Sequence, residues 1–410
     1  LFYTSRFTQV VQYSARDFAK ACTQAGMQCE ILIDKSDIHR ATTISLIGKI
    51  HEFYPDIIFL FNYLKSDFES IPRNLMCITW MQDPVYQINS KEHAEKINPN
   101  DYILSCTKIW VDQMVITGFP KERIDFLSFP ADNEIFYPRS LTAEETAKYE
   151  SDIAVCSNLN NDPEKFLAQL KSTYAPNTLP EILRNRIVTF FDFFHRWATD
   201  FINNGGLIYN EEQCGEILKQ CAQKLELIID SQFIAQLNKV IFAEYGYSLP
   251  RIACVKALTT TKVNFKIWGK NWDLFDRSLS PYAKGWLQHG PELAKVYSGS
   301  KMVVGTFALY TGHFRLWEAM FCGALNLVRY IPPEYDQWDI REYFNEGEGF
   351  VFYHDPNDLV SKVNYYASHE AERKHMVKQG QQKAQQLFTY KAAVSQCFEF
   401  IKKDLFRVTN

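Results

Sequence analysis

The chain has 410 residues, which predicts two or three domains at about 100–200 residues each. It holds 44 Lys and Arg against 48 Asp and Glu, and this formal net charge of −4 excludes a uniformly basic nucleic-acid-binding protein. Apolar residues make up 46% and charged residues 22%, so the composition excludes a disordered chain. The longest apolar runs, 57–61 and 302–310, are far below the roughly 18 residues that span a bilayer, and we expect no transmembrane segment.

The ten cysteines are scattered along the chain, and none forms a Cys-x-x-Cys pair. This pattern does not fit a zinc site or a disulfide framework. Several lie inside apolar runs, as Cys77 and Cys156 do, which predicts buried thiols. Unpaired thiols are typical of a reducing compartment, so we expect a cytoplasmic location.

The first third of the chain alternates short apolar runs with segments of helical spacing. Strands that are apolar on both faces are typical of a parallel sheet covered by helices, so we predict a doubly wound α/β domain over 1–140. The predicted strands are 1–5, 29–34, 55–62, 74–83 and 101–107, and the predicted helices are 10–25 and 43–53.

A Pro-bounded linker, FPADNEIFYP at 129–138, precedes a second predicted domain over 141–389. Its strands and helices alternate in the same way, except for a helical insertion at about 162–255. One further amphipathic helix is predicted at 390–403. The predicted strands are 151–159, 263–269, 301–307, 324–330 and 349–354, and the helices of the second domain include 180–201, 211–229, 314–322, 357–367 and 370–387.

The segment YTGHFRLWEAMFCG (310–323) follows a predicted strand and opens a helix. The N-terminus of such a helix is suited to bind an anion, because its N–H groups and dipole point at the ligand. Arg315 lies in the first turn of this helix, and its guanidinium group could donate two hydrogen bonds to a phosphate. Glu318 could accept hydrogen bonds from ribose hydroxyls. The spacing is equally compatible with a surface Arg–Glu pair.

The sequence FRLWEAMFCGALNLV (314–328) resembles the donor-site helix of group 1 glycosyltransferases with the GT-B fold. The chain is more closely similar to the C-terminal module of the spore-maturation-protein (CgeB-type) glycosyltransferase-like family. The segments that carry this resemblance are VYSGSKMVV (296–304), RLWEAMFCGA (315–324), GEGFVFY (347–353) and FTYKAAV (388–394).

The resemblance implies two Rossmann-like domains that face a cleft, with residues 390–410 crossing back to the N-terminal domain. It implies a nucleotide-diphosphate sugar held by the C-terminal domain, with Glu318 on the ribose and His289 in the turn beside the base. The remaining donor-binding residues that it implies are Arg315, Gly312, Thr311, Tyr310, Lys270, Gly269 and Trp272. Tyr310 occupies the position, eight residues before Glu318, where many retaining enzymes of this group carry a second glutamate. The resemblance therefore leaves inverting chemistry open.

Asp83, in the segment TWMQDP (79–84), follows a predicted strand and is our candidate for the catalytic base. The same residue could simply cap a turn before Pro84. We expect Trp80 and Gln82 to lie beside Asp83 in the cleft. Residues of the loop after the first strand are expected to face the donor: Ser5, Arg6 and Gln9.

The chain contains no Asp-x-Asp motif and no spacing typical of metal ligands, so we expect no metal and no other cofactor. Arg315, Lys270 and backbone N–H groups would then stabilise the charge of the leaving group. The sequence thus indicates a metal-independent glycosyltransferase that acts on a glycan or protein acceptor in glycan biosynthesis or protein glycosylation, in a bacterial cytoplasm. A non-catalytic relative that binds sugar or protein, and a nucleotide-sugar epimerase, remain as alternatives.

Overall fold

The computed structural model describes residues 1–4, 9–34, 42–83, 85–159, 162–306 and 309–408. The chain forms two compact units, each built on a parallel sheet. The first unit comprises Leu1–Asp132 and Ala384–Asn410, and the second comprises Asn133–Lys383. The predicted fold class, two doubly wound α/β domains, is confirmed.

The first unit has a parallel sheet in the order β2-β1-β3-β4-β5-β6 among the described residues. Its central strands are nearly continuous apolar runs because helices or loops cover both faces. The strands are β1 (Phe2–Thr4), β2 (Ile31–Ile33), β3 (Ile57–Phe61), β4 (Met76–Met81), β5 (Asp101–Ser105) and β6 (Ile124–Phe126), and the helices in this part are α1 (Gln9–Gln24), α2 (Thr43–Phe53), α3 (Lys91–Glu95) and α4 (Lys108–Thr117).

The second unit has a parallel sheet in the order β11-β10-β9-β7-β8. The two helices that end the chain follow it, and the first of them passes from the second unit into the first. The strands of the second unit are β7 (Ser151–Cys156), β8 (Phe265–Trp268), β9 (Ser300–Gly305), β10 (Leu325–Arg329) and β11 (Phe350–Tyr353). The helices from residue 143 to the end of the described chain, of which the last belongs to the first unit, are α5 (Ala143–Tyr149), α6 (Pro163–Tyr174), α7 (Glu181–Asn203), α8 (Glu211–Lys224), α9 (Ser231–Tyr245), α10 (Ser248–Leu258), α11 (Trp272–Phe275), α12 (Pro291–Gly299), α13 (Phe314–Cys322), α14 (Pro356–Ser368), α15 (Glu370–Leu387) and α16 (Tyr390–Val408).

The final helix, α16, is part of the first unit. Its buried residues Cys397 and Ile401 join the core that contains Phe18 of α1. The hydroxyl of Tyr102 on β5 donates a hydrogen bond to Asp404 at 3.0 Å. The apolar stripe of this helix is therefore buried against the sheet domain that begins the chain.

Helices α6 to α10 form the insertion between β7 and β8, and they have an apolar core of their own. Phe191, Phe194 and Tyr245 are buried there. The His195 ring bridges the Tyr245 hydroxyl at 2.8 Å and the Glu164 carboxylate at 3.1 Å. These contacts make His195 a structural residue of the insertion.

The structure differs from the sequence analysis at β6 and at the domain boundary. Strand β6 was not predicted, because a three-residue strand with an Asp at its centre gives no apolar run. The boundary falls after Asp132 rather than near residue 140. Phe136 is fully buried against His289 and Tyr297 of the second unit, which places the end of the predicted linker in that unit.

Candidate functional site

In the sheet of the second unit, the order in which the chain adds its strands reverses between β7 and β9. These two strands are neighbours, and β8 and β10 lie on opposite sides of them. The loops that leave β7 and β9 therefore diverge at the carboxyl ends of the strands. Crevices of this kind are the usual ligand sites of open α/β sheets.

Helix α13 begins beside this point, and His313 is its N-cap. The Nδ1 atom of His313 accepts a hydrogen bond from the backbone N–H of Arg315 at 3.2 Å. Burial lowers the pKa of the His313 ring well below its usual value, and the guanidinium groups of Arg315 and Arg251 lower it further. The ring is therefore neutral and carries its proton on Nε2.

Two arginines lie together at the crevice. Arg315 Nη1 donates to the carbonyl oxygen of Cys156 at the end of β7, at 3.0 Å, and Arg251 Nη1 donates to the carbonyl oxygen of Asn158 at 2.8 Å. Burial, followed by repulsion from Arg315, lowers the pKa of Arg251 to about 10, although Tyr310 opposes this shift. Two cations held close together are stabilised by a bound anion such as a diphosphate.

Arg251 was missed by the sequence analysis. It lies on α10 at the end of the insertion, far from the Arg315 helix in sequence. A single arginine in a helix carries no spacing signal that would distinguish it from an arginine on the protein surface. Only the tertiary packing of α10 beside the sheet brings it to Arg315.

Glu318 is buried, with 2% of its surface exposed. Its Oε1 atom lies 2.5 Å from His289 Nε2. Within the described part of the chain, its Oε2 atom is buried and has no hydrogen-bond partner. An unsatisfied buried carboxylate oxygen costs about 1–3 kcal/mol, and ligand hydroxyl groups could satisfy it.

The structure brings His289 to Glu318, whereas the resemblance implied only that it lies in the turn beside the base. The His289 ring lies 5.2 Å from the ring of Phe136 and 6.2 Å from that of Phe314. These aromatic contacts orient the imidazole toward the carboxylate. His289 therefore holds Oε1 of Glu318, while Oε2 has no hydrogen-bond partner among the described residues.

The prediction that Thr311 and Gly312 bind the donor is wrong for their backbone N–H groups, which are hydrogen-bonded within the protein. The Thr311 backbone N–H and hydroxyl donate to the two carboxylate oxygens of Asp336, at 3.0 and 2.6 Å. The Gly312 N–H donates to the Trp338 carbonyl at 2.7 Å, and a Cβ at Gly312 would lie 2.7 Å from the Trp338 ring. Both residues anchor the turn to the segment after β10, so their N–H groups are already used.

Asp336 at the centre of this anchor is buried, and burial raises its pKa to about 7 against the opposing hydrogen bonds from Thr311. Since an unfolded Asp has a pKa of about 3.9, the folded protein holds an extra proton between these values. The contribution of Asp336 to the free energy of unfolding therefore falls as pH rises from about 4 to about 7.

We expect the substitution Asp336→Asn to remove this dependence. Relative to the wild type, the variant should gain about 1–4 kcal/mol in the free energy of unfolding between pH 4 and pH 7. Urea denaturation across this range measures the difference. Asp273→Asn, at an exposed acid of the same unit, is the control. Parallel pH profiles for Asp336→Asn and the wild type would contradict the expectation.

The corner after β8, formed by Gly269 and Lys270, lies beside the loop after β7. The Lys270 backbone N–H donates to the Asn158 side chain at 3.0 Å, and the exposed Lys270 ammonium lies 5.0 Å from the centre of the Trp286 ring. A Cβ at Gly269 would collide with the carbonyl oxygen of Ser157, so only glycine permits this close approach. Lys270 thus shares Asn158 with Arg251.

The predicted contact of Trp272 with the donor is wrong for its side chain. The indole is fully buried in the core of the sheet, and its N–H donates to the Ser157 carbonyl at 2.6 Å. The Trp272 side chain therefore lies in the core and stabilises the loop after β7 through this hydrogen bond. Tyr310 is partly exposed, and its ring stacks on His313 with centres 5.7 Å apart.

In the first unit, Asp83 follows β4 and is held by Asn62. The Asn62 side-chain oxygen accepts from the backbone N–H groups of Gln82 and Asp83, at 2.7 and 3.1 Å. Its amide donates to the Asp83 carboxylate at 2.6 Å. Asp83 is an exposed residue, yet its carboxyl group is partly desolvated, and this desolvation raises its pKa. The hydrogen bond from Asn62 acts in the opposite direction and is the smaller effect. A raised pKa makes this carboxylate a stronger base.

The other residues predicted around Asp83 differ in their placement. The prediction of Trp80 in the cleft is wrong, because its side chain is fully buried and its N–H donates to the Leu127 carbonyl at 3.2 Å. Gln82 is buried and accepts from the Ser14 hydroxyl at 3.4 Å. Ser5 and Arg6 lie outside the described residues. Gln9 begins α1, and its side chain is likewise outside the described part.

No group of three or more His, Cys, Asp or Glu residues suited to a metal ion occurs among the described residues. In the same part of the chain, no helix is long and apolar enough to cross a membrane.

The fold and this site define a two-domain α/β protein with two neighbouring arginines and a buried glutamate in its second unit. Residues 251–399, which include Arg251, Arg315 and Glu318, match a family model described as "Glycosyl transferase-like". A search of curated proteins finds no match.

Solved glycosyltransferase structures share the fold at low sequence identity. A glycosyltransferase from Rickettsia africae has a TM-score of 0.60 and 10% identity, with 98% of each chain covered. Anabaena HepE in complex with UDP-glucose has a TM-score of 0.53 and 9% identity, covering 98% of this chain and 99% of that one. Sucrose-phosphate synthase from Thermosynechococcus elongatus has a TM-score of 0.51 and 11% identity, with 99% of each chain covered. The chain therefore has the GT-B fold.

Proposed function

We propose that this protein is a glycosyltransferase that moves a sugar from a nucleotide-diphosphate sugar to a hydroxyl group of a glycan or protein. The observation that carries the proposal is the buried Glu318, whose Oε2 is unsatisfied within the described structure, beside the Arg251–Arg315 pair. All three residues lie in the segment that matches the glycosyltransferase-like model. The closer resemblance to the CgeB-type family is part of the proposal.

In this proposal, Glu318 Oε2 accepts hydrogen bonds from the ribose hydroxyls of the donor. Arg251 and Arg315 bind the diphosphate and stabilise the negative charge that develops as the anomeric bond breaks. Lys270 adds a third positive charge at the neighbouring corner. The transition state is oxocarbenium-like, so charge stabilisation on the leaving group contributes directly to the rate.

The proton of the acceptor hydroxyl must be removed as the new bond forms. We assign this step to Asp83, since its carboxylate is exposed, is oriented by Asn62 and has a raised pKa. A cytoplasmic location is also part of the proposal, and it is supported by ten cysteines that are all free thiols.

A thermal-shift screen with UDP, GDP, CDP and TDP tests the donor site. HepE was solved with UDP-glucose, which makes UDP the first candidate. A nucleotide at 100-fold over its dissociation constant should stabilise the fold by about 2.7 kcal/mol. UMP is the matched control, because it lacks the second phosphate and should bind more weakly to the arginine pair. The absence of any shift with all four diphosphates would contradict the proposal.

We also propose that the transfer needs no divalent metal, because Arg251, Arg315 and Lys270 can supply the positive charge. Once a donor has been identified, turnover in excess EDTA should equal turnover with magnesium. A loss of more than about tenfold that is restored by a divalent ion would instead indicate that a metal stabilises the leaving group.

A further inference from the structure

A serine, a histidine and an aspartate are linked by hydrogen bonds at one edge of the sheet of the first unit. Ser90 Oγ lies 2.9 Å from His93 Nδ1, and His93 Nε2 lies 3.3 Å from Asp67 Oδ1. Asp67 lies in the segment that follows β3, whereas Ser90 and His93 lie in the segment that follows β4. Because β3 and β4 are parallel neighbours, both segments begin at the carboxyl edge of the sheet, where the ligands of open α/β sheets bind. The sugar transfer proposed above uses none of these side chains.

The hydrogen bonds of Asp67 determine which nitrogen of His93 carries the proton. Asp67 Oδ2 accepts from the Leu64 backbone N–H at 2.8 Å and from the Gln87 side-chain amide at 3.1 Å, so the carboxylate is held in one orientation. The side chains of His93 and Asp67 are only 12% and 9% exposed. An ionised carboxylate can only accept hydrogen bonds, so a neutral His93 donates to it from Nε2. The lone pair of His93 Nδ1 is then available to the Ser90 hydroxyl.

Ser90 is placed to act as a nucleophile. It is partly exposed, and it is the N-cap of α3, where its Oγ accepts from the His93 backbone N–H at 3.4 Å. This cap uses a lone pair of Oγ and leaves the hydroxyl proton to His93 Nδ1. A serine hydroxyl is a weak nucleophile unless an adjacent base takes its proton as the new bond forms, and a third group must orient that base. His93 and Asp67 have the geometry for these two roles.

The surroundings of Ser90 favour a small, uncharged acyl group. Tyr86 is 70% exposed, and its ring meets the His93 ring edge to face with the centres 5.5 Å apart. An exposed aromatic ring beside the hydroxyl can support the apolar part of such a group. The lysines and glutamates of the segment 91–96 offset each other in charge, which gives an anionic substrate no advantage. We propose that Ser90 is a nucleophile for small acyl esters, with His93 as general base and Asp67 as a positioning residue.

The reaction needs only the ester and water. His93 Nδ1 takes the proton of the Ser90 hydroxyl as Oγ forms a bond to the carbonyl carbon, and it returns this proton to the alcohol as the bond to the leaving oxygen breaks. Water then attacks the acyl-serine, and His93 takes a proton from it. The ester bond to Ser90 breaks, Oγ recovers its proton, and a carboxylic acid leaves. This activity goes beyond the proposed function and does not depend on the nucleotide site.

An alkyl fluorophosphonate tests the nucleophile on the full chain without nucleotide. Ser90 Oγ should displace the fluoride and form a stable phosphonate ester, which peptide mass spectrometry locates. We expect the label on Ser90 in the folded protein and not after heat denaturation. Ser90→Asn should abolish the label, although asparagine still caps a helix. Ser66→Ala is the matched control and should keep the label, because Ser66 adjoins Asp67 and its Oγ has no hydrogen-bond partner among the described residues.

Hydrolysis of p-nitrophenyl acetate measures the activity itself. Ser90→Asn and His93→Gln should each lower kcat/KM by about 10²- to 10⁴-fold, the usual contribution of a positioned base. Asp67→Asn should lower kcat and leave KM nearly unchanged, because a carboxamide can donate to Nε2 and so place the ring proton on Nδ1. A merely structural role of Asp67 would not separate kcat from KM in this way.

Any of four results would overturn the proposal. They are an unlabelled Ser90 in the folded wild type, wild-type labelling in His93→Gln, undiminished ester hydrolysis in Ser90→Asn, and loss of the label in Ser66→Ala. UDP affinity measured on the same samples reports on the donor site of the second unit. Failure of the proposed function is thereby distinguished from failure of the nucleophile.

Discussion

Replacing Glu318 with glutamine or alanine is expected to lower the affinity for the donor nucleotide by about 10- to 100-fold, which corresponds to a charged hydrogen bond of about 1.5–3 kcal/mol. Glu318 Oε1 is occupied by His289, so the ligand must use Oε2, the buried oxygen with no partner among the described residues. Glutamine keeps the shape of the side chain but lacks the charge. Isothermal titration calorimetry with UDP measures the effect.

The stability of the same variant gives a second readout. Burial of the Glu318 carboxylate costs free energy in the nucleotide-free protein, and Glu318→Gln replaces that charge with a neutral amide, so the variant should be at least as stable as the wild type. Glu334→Gln, at an exposed acid of the same unit, serves as the control for both measurements. Unchanged UDP affinity in both Glu318→Gln and Glu318→Ala would remove Glu318 from the site.

Asp83→Asn is expected to lower turnover by about 10²- to 10⁴-fold, the usual contribution of a positioned general base. Asparagine can still accept the hydrogen bond from Asn62, so the local structure should be preserved. In the wild type, kcat/KM should fall at low pH as Asp83 becomes protonated. Its raised pKa places that fall above the range of an ordinary aspartate.

Steady-state kinetics with an identified donor and acceptor measure the effect of Asp83→Asn. Asp112→Asn changes an exposed acid on α4 of the same unit and should keep wild-type turnover. UDP affinity measured in parallel separates a loss of chemistry from a loss of donor binding. Wild-type turnover in Asp83→Asn would show that the base is another group.

The central strands and helix α13 could be predicted because their signals are local. Strands such as β3 and β4 are continuous apolar runs, and a run buried on both faces requires a covered parallel sheet. The predicted helix 314–322 has the observed bounds, with Gly323 in the left-handed conformation at its end. Strand β6 has only three residues, and tertiary pairing with β5 alone makes it a strand.

The site could be predicted only where its residues share one helix. Arg315 and Glu318 are three residues apart on α13, so their proximity follows from the helical repeat. By contrast, the Thr311 hydroxyl and N–H are bonded to Asp336, a residue that only the packing after β10 brings near. Arg251 comes from the insertion and is brought close to Arg315 in the same way.

The sequence by itself determined the two parallel α/β domains, the helical insertion and the arginine–glutamate helix, because hydrophobic periodicity and helical spacing act over a few residues. Only the tertiary structure decided which polar groups are free to meet a ligand. Trp80 and Trp272 lie beside candidate site residues in sequence, yet both are fully buried and donate to backbone carbonyls. Burial and hydrogen-bond satisfaction depend on residues far apart in the chain, and no local pattern encodes them.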